Sequence, residues 1–207
     1  MARYTGAVCR LCRRSSDKLF LKGMKCYTKC TLDRRPAVPG QHSRRRAKVS
    51  DRGLQLREKQ KARWTYGVLE RQFRGLFAEA EKATGVTGDT LQTLLETRLD
   101  NVVYRLGFAD SRPQARQLVR HGHITLNNHP SNIPSLQVKI GDIIAWKANK
   151  AKSEYYKQLI ESIKGKSIPV WLSLDRQNLA GSVLSLPTPQ DIEAKYEAKA
   201  IVEYYSR

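Results

Sequence analysis

The sequence lacks long apolar runs. No stretch approaches the roughly 18 consecutive apolar residues that indicate a transmembrane helix, and the opening residues MARYTGAVCR contain no apolar segment of the kind a secretory signal requires. We therefore expect no membrane span and no signal peptide. The sequence predicts a cytoplasmic protein.

Acidic residues are also scarce. The 207 residues include 38 Lys and Arg but 19 Asp and Glu, which gives a formal net charge of +19. Residues 1–63 alone carry 19 basic and four acidic side chains, whereas residues 64–207 carry 19 basic and 15 acidic ones. Such a surplus repels itself until a polyanion neutralises it. Nucleic acid is the first candidate, and an anionic membrane surface is the second.

Signatures of an enzyme are missing as well. The sequence has no phosphate-binding glycine loop and no nucleophile-elbow pattern. His121 and His123 form a pair, but no carboxylate or nucleophile accompanies them locally, and a metal site normally takes three or four ligands. Nothing in the sequence indicates catalysis.

Cysteine, in contrast, is concentrated in one segment. The stretch CRLCRRSSDKLFLKGMKCYTKC contains Cys9, Cys12, Cys26 and Cys30 with the spacing C-x2-C-x13-C-x3-C. Two short cysteine pairs of this kind suit a tetrahedral four-thiolate site, for which we expect one structural zinc ion. Disulfides are disfavoured in the cytosol, four free thiols are a weaker alternative, and an iron–sulfur cluster would use the same ligands.

The pattern of apolar residues predicts helices flanking a small sheet. Residues 1–48 show no persistent period and predict a loop-rich arm, whereas 50–84 predict one amphipathic helix. A second helix is expected after Asp89, and a third between Ser111 and Gly122, where proline stands in the first turn. Strands flanking an Asn127-Asn128 turn follow, then a helix over 151–164, a loop-rich passage over 165–190 and a final helix after Asp191.

Basic side chains indicate where RNA would bind. Arg112, Arg116 and Arg120 lie four residues apart on one predicted helix and form a ridge suited to phosphates, although a merely solvated helix face has a similar pattern. Trp64, Tyr66 and Phe73 could stack on bases, but at helical spacing they are better explained as core. The candidate RNA-binding residues are Arg10, Arg13, Arg14, Lys22, Arg34, Arg35, Arg44, Arg45, Arg46, Lys48, Arg52, Arg57, Lys59, Lys61, Arg63, Arg112, Arg116, Gln117, Arg120, His121 and His123.

Several segments together resemble the bacterial-type family of small-subunit ribosomal protein S-four. They are CRLC, RRPAVPGQH, LREKQKARWTYGVLERQFR, LETRLDNVVYRLGFADSRPQARQLVRHGHITLN, IPSLQVKIGDII and the terminal IVEYYSR. The resemblance runs from about Arg3 to Arg207, and the cysteines place the chain in the zinc-binding branch. Members that keep the cysteines usually have four residues between the last two, whereas CYTKC has three, which makes Cys30 the ligand most at risk of poor geometry.

The resemblance implies an α+β fold in three parts. Residues 1–48 would form a basic, loop-rich, metal-bound arm. Residues 49–93 with 151–207 would form a mainly helical domain, and residues 94–150 an inserted RNA-binding module of two helices and a small antiparallel sheet. This module also occurs in enzymes that modify RNA, so the module alone would not identify the function.

The resemblance also implies function. Members of the family bind 16S ribosomal RNA, nucleate assembly of the body of the small subunit, contact the fifth small-subunit protein and, with the fifth and twelfth proteins, contribute to translational accuracy. Basic residues in the region of Arg44, Arg45, Arg46 and Lys48 lie at the messenger-RNA entry channel in the family. The expected protein is therefore not an enzyme and not a homo-oligomer. An RNA-modifying enzyme and a zinc-finger DNA-binding regulator are the alternatives.

Overall fold

A computed structural model describes residues 3–41 and 49–206. The fold is α+β and about half helical, as the sequence predicts. The chain divides into two compact units, Met1–Gln92 with Glu193–Arg207, and Thr93–Ile192. Within the described ranges, no helix is long and apolar enough to span a bilayer.

The first unit begins with three short helices where the sequence predicted a loop-rich arm. They are α1 (Cys9–Ser15), α2 (Met24–Thr28) and α3 (Thr31–Arg34). None is longer than seven residues, so no helical period could be recognised. Ser16 and Gly23 adopt left-handed φ angles of 59° and 57°, which break the chain between α1 and α2. A small apolar cluster of Cys12, Leu19 and Leu21 holds the segment together.

Two helices occupy the region predicted as one. Helix α4 (Asp51–Thr65) begins after Ser50, whose hydroxyl accepts from the Gly53 amide at 3.3 Å, and α5 (Glu70–Lys82) follows. Gly67, with φ of 63°, separates them. Tyr66 and Phe73 are buried, in agreement with their predicted role in the core. The C-terminal helix α10 (Ala198–Tyr205) packs on α4 and starts later than the sequence suggested.

The next two helices are α6 (Thr87–Glu96) and α7 (Leu99–Arg105). Extended backbone at Arg98 interrupts the apolar face that the sequence presented as continuous. Helix α8 (Arg112–Arg120) confirms the predicted third helix: Ser111 precedes it, proline stands in its first turn and Gly122 ends it with φ of 68°.

The second unit contains a five-stranded antiparallel sheet. Its strands are β1 (Ile124–Leu126), β2 (His129–Pro130), β3 (Ile143–Trp146), β4 (Leu172–Asp175) and β5 (Ala180–Val183), in the order β2-β1-β3-β5-β4. The predicted turn joins β1 to β2: Asn127 and Asn128 have φ angles of 49° and 65°, as a tight hairpin requires.

The division into units differs from the predicted domains after residue 150. Helix α9 (Glu154–Ile163), β4 and β5 belong to the second unit, whereas the sequence-based division grouped 151–207 with the helical domain. Strand β5 pairs with β3 through Ile144 and Gly181. Any side chain at position 181 would collide with Leu106, so glycine allows α7 to lie directly on the sheet.

Candidate RNA interface and cysteine cluster

The predicted arginine ridge on α8 is divided by the structure. Arg116 is only 8% exposed, and its Nη1 donates to Asp100 Oδ2 at 2.8 Å. Arg112 is half-buried: its Nε donates to Asn101 Oδ1 at 2.7 Å, and its guanidinium lies 4.6 Å from the centre of the Tyr104 ring. These two arginines are therefore engaged within the second unit.

The predicted residues that remain exposed on this helix lie at its C-terminal end. Gln117, Arg120 and His121 are exposed there. Among the predicted residues of this helix, these three are the ones the fold presents to solvent, so the ridge is reduced to one cation with two hydrogen-bonding neighbours.

Two buried carboxylates, Glu96 and Asp100, organise the inward side of α8. Glu96 accepts two hydrogen bonds from Arg105 at 2.9 and 2.8 Å and one from the Asn101 amide at 2.7 Å. Asp100 accepts from Arg98 at 3.1 and 2.8 Å as well as from Arg116. A buried charge is tolerated when it is paired and hydrogen-bonded in this way, and such networks fix geometry more than they add stability.

Neither carboxylate is among the candidate residues that the sequence predicts. The signal that could have found them is local: Glu96 and Asp100 stand four residues apart, and each directly follows a leucine of the predicted apolar face, where only a satisfied charge can be buried. Their partners, however, come from positions up to 16 residues away.

His121 and His123 lie beside an aromatic group at the end of α8. Their rings are stacked with centres 6.4 Å apart, and the His123 ring lies 5.4 Å from the Trp146 ring. Burial lowers the pKa of His123, and the charges of Lys150 and His121 lower it further. His123 is thus biased toward the neutral form and contributes less positive charge than its position suggests.

Helix α4 also divides its basic residues. Lys59 is 4% exposed; its Nζ lies 2.6 Å from Glu70 Oε1 and 4.7 Å from the centre of the Tyr204 ring. Burial would raise the pKa of Glu70, but hydrogen bonds from Lys59 and Tyr205 outweigh it, and the pKa is lowered. Lysine 59 is thus a structural cation of the first unit.

The remaining cations of α4 are partly available. Lys61 pairs with Asp17 at 2.7 Å and with Glu58 at 2.8 Å, and Arg63 lies 3.5 Å from Glu70. Arg52 and Arg57 are exposed. These two form the solvent-facing basic part of the helix.

The N-terminal arm keeps most of its predicted basic residues exposed. Arg13 is half-buried and its Nε donates to the Ala37 carbonyl at 2.8 Å. The exposed members are Arg10, Arg14, Lys22, Arg34 and Arg35. The predicted residues Arg44, Arg45, Arg46 and Lys48 lie outside the described residues.

The four cysteines of the arm are free thiols, of which Cys12 belongs to the apolar cluster. Cys9 and Cys12 are on α1, Cys26 is on α2, and Cys30 directly precedes α3. Within residues 3–41 and 49–206, no three Cys, His, Asp or Glu side chains are grouped closely enough to coordinate a metal ion.

The surroundings of the thiols act on their charge in opposite directions. The pKa of Cys12 is raised overall: burial and the nearby charges of the other three cysteines raise it, and a hydrogen bond from the Leu19 backbone only partly offsets them. The Lys22 amide donates to Cys26 Sγ at 3.3 Å. A cation bound among the four sulfur atoms would favour the charged thiolates, and thiolates are the ligands that soft metal ions prefer.

Comparison with known proteins identifies the family. Residues 3–96 match the Ribosomal protein S4/S9 N-terminal domain, and residues 97–144 match the S4 domain. The small ribosomal subunit protein uS4 of Dehalococcoides mccartyi is 55% identical over 207 residues, with 100% of both chains covered. The chain belongs to the uS4 family.

Other uS4 proteins are similarly close. The protein of Heliobacterium modesticaldum is 55% identical and that of Geobacter sp. strain M21 is 53% identical, each over 208 residues and with both chains fully covered. The full-length match to uS4 proteins does not favour the RNA-modifying enzyme considered above.

Proposed function

We propose that the protein is a structural constituent of the small ribosomal subunit that binds 16S ribosomal RNA directly. The observation that carries this proposal is the full-length similarity to uS4 proteins. The arrangement of charge supports it: buried Glu96 and Asp100 are neutralised inside the second unit, while Arg120, Arg52 and Arg57 face solvent. These exposed cations and the formal net charge of +19 favour a polyanionic partner.

The mode of binding follows from the shape of RNA. A-form duplexes hide base edges in a deep, narrow groove, so a protein recognises them mainly through phosphates and 2′-hydroxyl groups. The exposed cations of the arm, of α4 and of α8 suit this role, and each phosphate they neutralise releases a counterion. Binding should therefore weaken steeply as the salt concentration rises.

Assembly would follow from differential binding. An RNA junction samples several arrangements, and a protein that prefers one shifts the population by the difference in affinity. We infer on this basis that the protein nucleates assembly of the subunit body in the cytoplasm. The proposal includes two further contacts, one with the fifth small-subunit protein and one with messenger RNA near the entry channel. It also includes a contribution to translational accuracy, made together with the fifth and twelfth proteins.

Zinc is the metal we propose for the arm. Cys9, Cys12, Cys26 and Cys30 would hold one ion, which would act structurally by joining α1 to the segment that carries α2. A bound structural metal supplies folding free energy that a small, polar segment cannot obtain from an apolar core. With such an ion, the chain would belong to the zinc-binding branch of the family.

The decisive experiment is a binding measurement. The full chain is titrated with 16S ribosomal RNA at several KCl concentrations, with 23S ribosomal RNA as the control. We expect tight binding to 16S RNA and weaker binding to 23S RNA. Both affinities should fall as the KCl concentration rises, because both depend in part on phosphate contacts. Equal affinity for the two RNAs would contradict the proposal, as would absence of the protein from purified small subunits.

A further inference from the structure

An aromatic pair on the arm lies outside its apolar cluster. The rings of Phe20 and Tyr27 have centres 4.9 Å apart and planes inclined by 31°. Leu19 and Leu21, on either side of Phe20, are buried in the cluster, whereas Tyr27 is 66% exposed. The arm thus buries its leucines and presents a tyrosine ring that rests on a phenylalanine.

Phe20 occupies this position at a conformational cost. Its φ of 51° lies in the left-handed region, which a bulky side chain rarely adopts. Strain of this kind persists where the surroundings enforce it, and it is concentrated at sites that bind ligands. Lys195 Nζ lies 4.3 Å from the centre of the Phe20 ring and supports it from the C-terminal segment of the same unit. The backbone conformation at Phe20 therefore places its ring against the ring of Tyr27.

The segment that carries the pair is rich in lysine. The segment KLFLKGMKCYTKCTL, residues 18–32, contains four lysines and no acidic residue. Lys18 is paired with Asp33 at 2.6 Å, whereas Lys22, Lys25 and Lys29 are exposed. An exposed ring among exposed cations matches the combination with which proteins hold single-stranded nucleic acid, namely a stacking surface within a positive groove.

We propose that Tyr27, supported by Phe20, stacks on an unpaired base of ribosomal RNA, while Lys22, Lys25 and Lys29 contact the neighbouring phosphates. The inference rests on the proposed function and adds to it the class of nucleotide bound at this place. Bases in loops and bulges are free to stack on a side chain, unlike those inside a duplex. Every base has a π-face, so the site selects an unpaired nucleotide and not a particular base.

Binding of 16S ribosomal RNA over a range of KCl concentrations tests the proposal. Tyr27→Ala should lower the affinity about tenfold or more at every salt concentration without changing the salt slope, because stacking releases no counterion. Tyr27→Phe keeps the ring and should bind like the unchanged protein. Met24→Ala is the matched control, since Met24 lies on the same short helix and is 64% exposed; it should have no effect.

The lysines should behave in the opposite way. Lys25→Ala should reduce the steepness of the salt dependence by roughly 0.7 to 0.9 on the logarithmic scale. If Tyr27→Ala reduced the salt slope as much as Lys25→Ala does, the stacking assignment would be overturned. The tyrosine would then act only by holding a neighbouring lysine in contact with phosphate.

A nucleotide-resolved measurement identifies the base. Acylation of RNA 2′-hydroxyl groups reports the flexibility of each nucleotide, and one unpaired nucleotide should become reactive in the complex with Tyr27→Ala and stay protected with Tyr27→Phe. Should alanine alter the circular dichroism of the protein, Tyr27→Leu supplies the same test, because leucine keeps apolar contact with Phe20 but has no aromatic face. If the Tyr27→Ala protein binds 16S RNA with the same affinity as Met24→Ala and leaves the same nucleotides reactive, the proposal is refuted. Failure of the unchanged protein to bind 16S RNA would instead refute the proposed function.

Discussion

Arg116 and Arg120 lie one turn apart on α8, yet we expect their alanine variants to differ in kind. Arg116 is buried against Asp100, with Nη1 and Oδ2 2.8 Å apart, whereas Arg120 is exposed. The first should therefore be needed for stability and for the position of the helix. The second should be needed for contact with RNA.

The magnitudes follow from these environments. A hydrogen bond to a buried charge contributes about 1.5–3 kcal/mol, and Arg116→Ala removes the bond to Asp100, which then keeps its bonds from Arg98. Against a typical total of about 5–15 kcal/mol, this loss is large. Arg120→Ala should change the free energy of unfolding by less than about 0.5 kcal/mol but reduce the steepness of the salt dependence of RNA binding by roughly 0.7–0.9.

Two measurements on the same variants separate the roles: urea unfolding followed by circular dichroism, and binding of 16S RNA at several KCl concentrations. Arg176→Ala, on the exposed loop between β4 and β5, is the control and should change neither quantity. These roles are refuted if Arg116→Ala leaves the unfolding free energy unchanged and reduces the salt slope as Arg120→Ala does. That result would mean that Arg116 leaves Asp100 to bind phosphate.

Three further predictions concern the hairpin, a histidine and the arm. Asn128→Gly should stabilise the protein by a few tenths to about 1 kcal/mol, because glycine adopts a left-handed φ without a Cβ clash. Asn127→Gly should destabilise it by about 1–3 kcal/mol, because two side-chain hydrogen bonds at 2.8 and 2.9 Å are lost; urea unfolding measures both, and equal effects would contradict the turn geometry. Because the pKa of His123 is lowered below 6.5 by burial, the unfolded state binds a proton first on acidification, so stability should fall as the pH drops below about 6.5. His123→Asn should remove part of that dependence, unlike His129→Asn on the exposed strand, and an unchanged pH profile would exclude this cause. Elemental analysis of anaerobically purified protein should find one zinc per chain; no metal, or iron with sulfide, would refute the assignment.

Local signals predicted the parts of the fold that depend on neighbouring residues. Ser111, Pro113 and Gly122 mark the ends of α8, and the Asn127-Asn128 turn sets the hairpin, because caps and turns are specified within a few residues. Strands β4 and β5 gave no such signal: their sequences LSLD and AGSV contain little of the β-branched and aromatic content that indicates strands. Pairing with β3, far away in sequence, determines them.

The candidate site shows the same limit. Spacing alone placed three arginines on one face of α8, but it could not reveal that Asp100 takes up the middle one, since that contact spans 16 residues. Lys59 is a similar case, because its partner Glu70 belongs to the following helix. The lysines beside Tyr27 and the exposure of its ring depend on how the arm folds around Leu19 and Leu21.

The pairing of β3 with β5 limits where this chain can be divided. The S4 domain match ends at residue 144. A fragment ending at Lys150 would retain β3 but lose β5, which pairs with it. Backbone groups of β3 that now bond to β5 would become an open edge, and an open edge invites pairing with another chain. The Leu106 side chain would also lose its packing contact with Gly181. The smallest fragment that preserves the module's closed core therefore extends through Val183, and shorter versions should aggregate during purification.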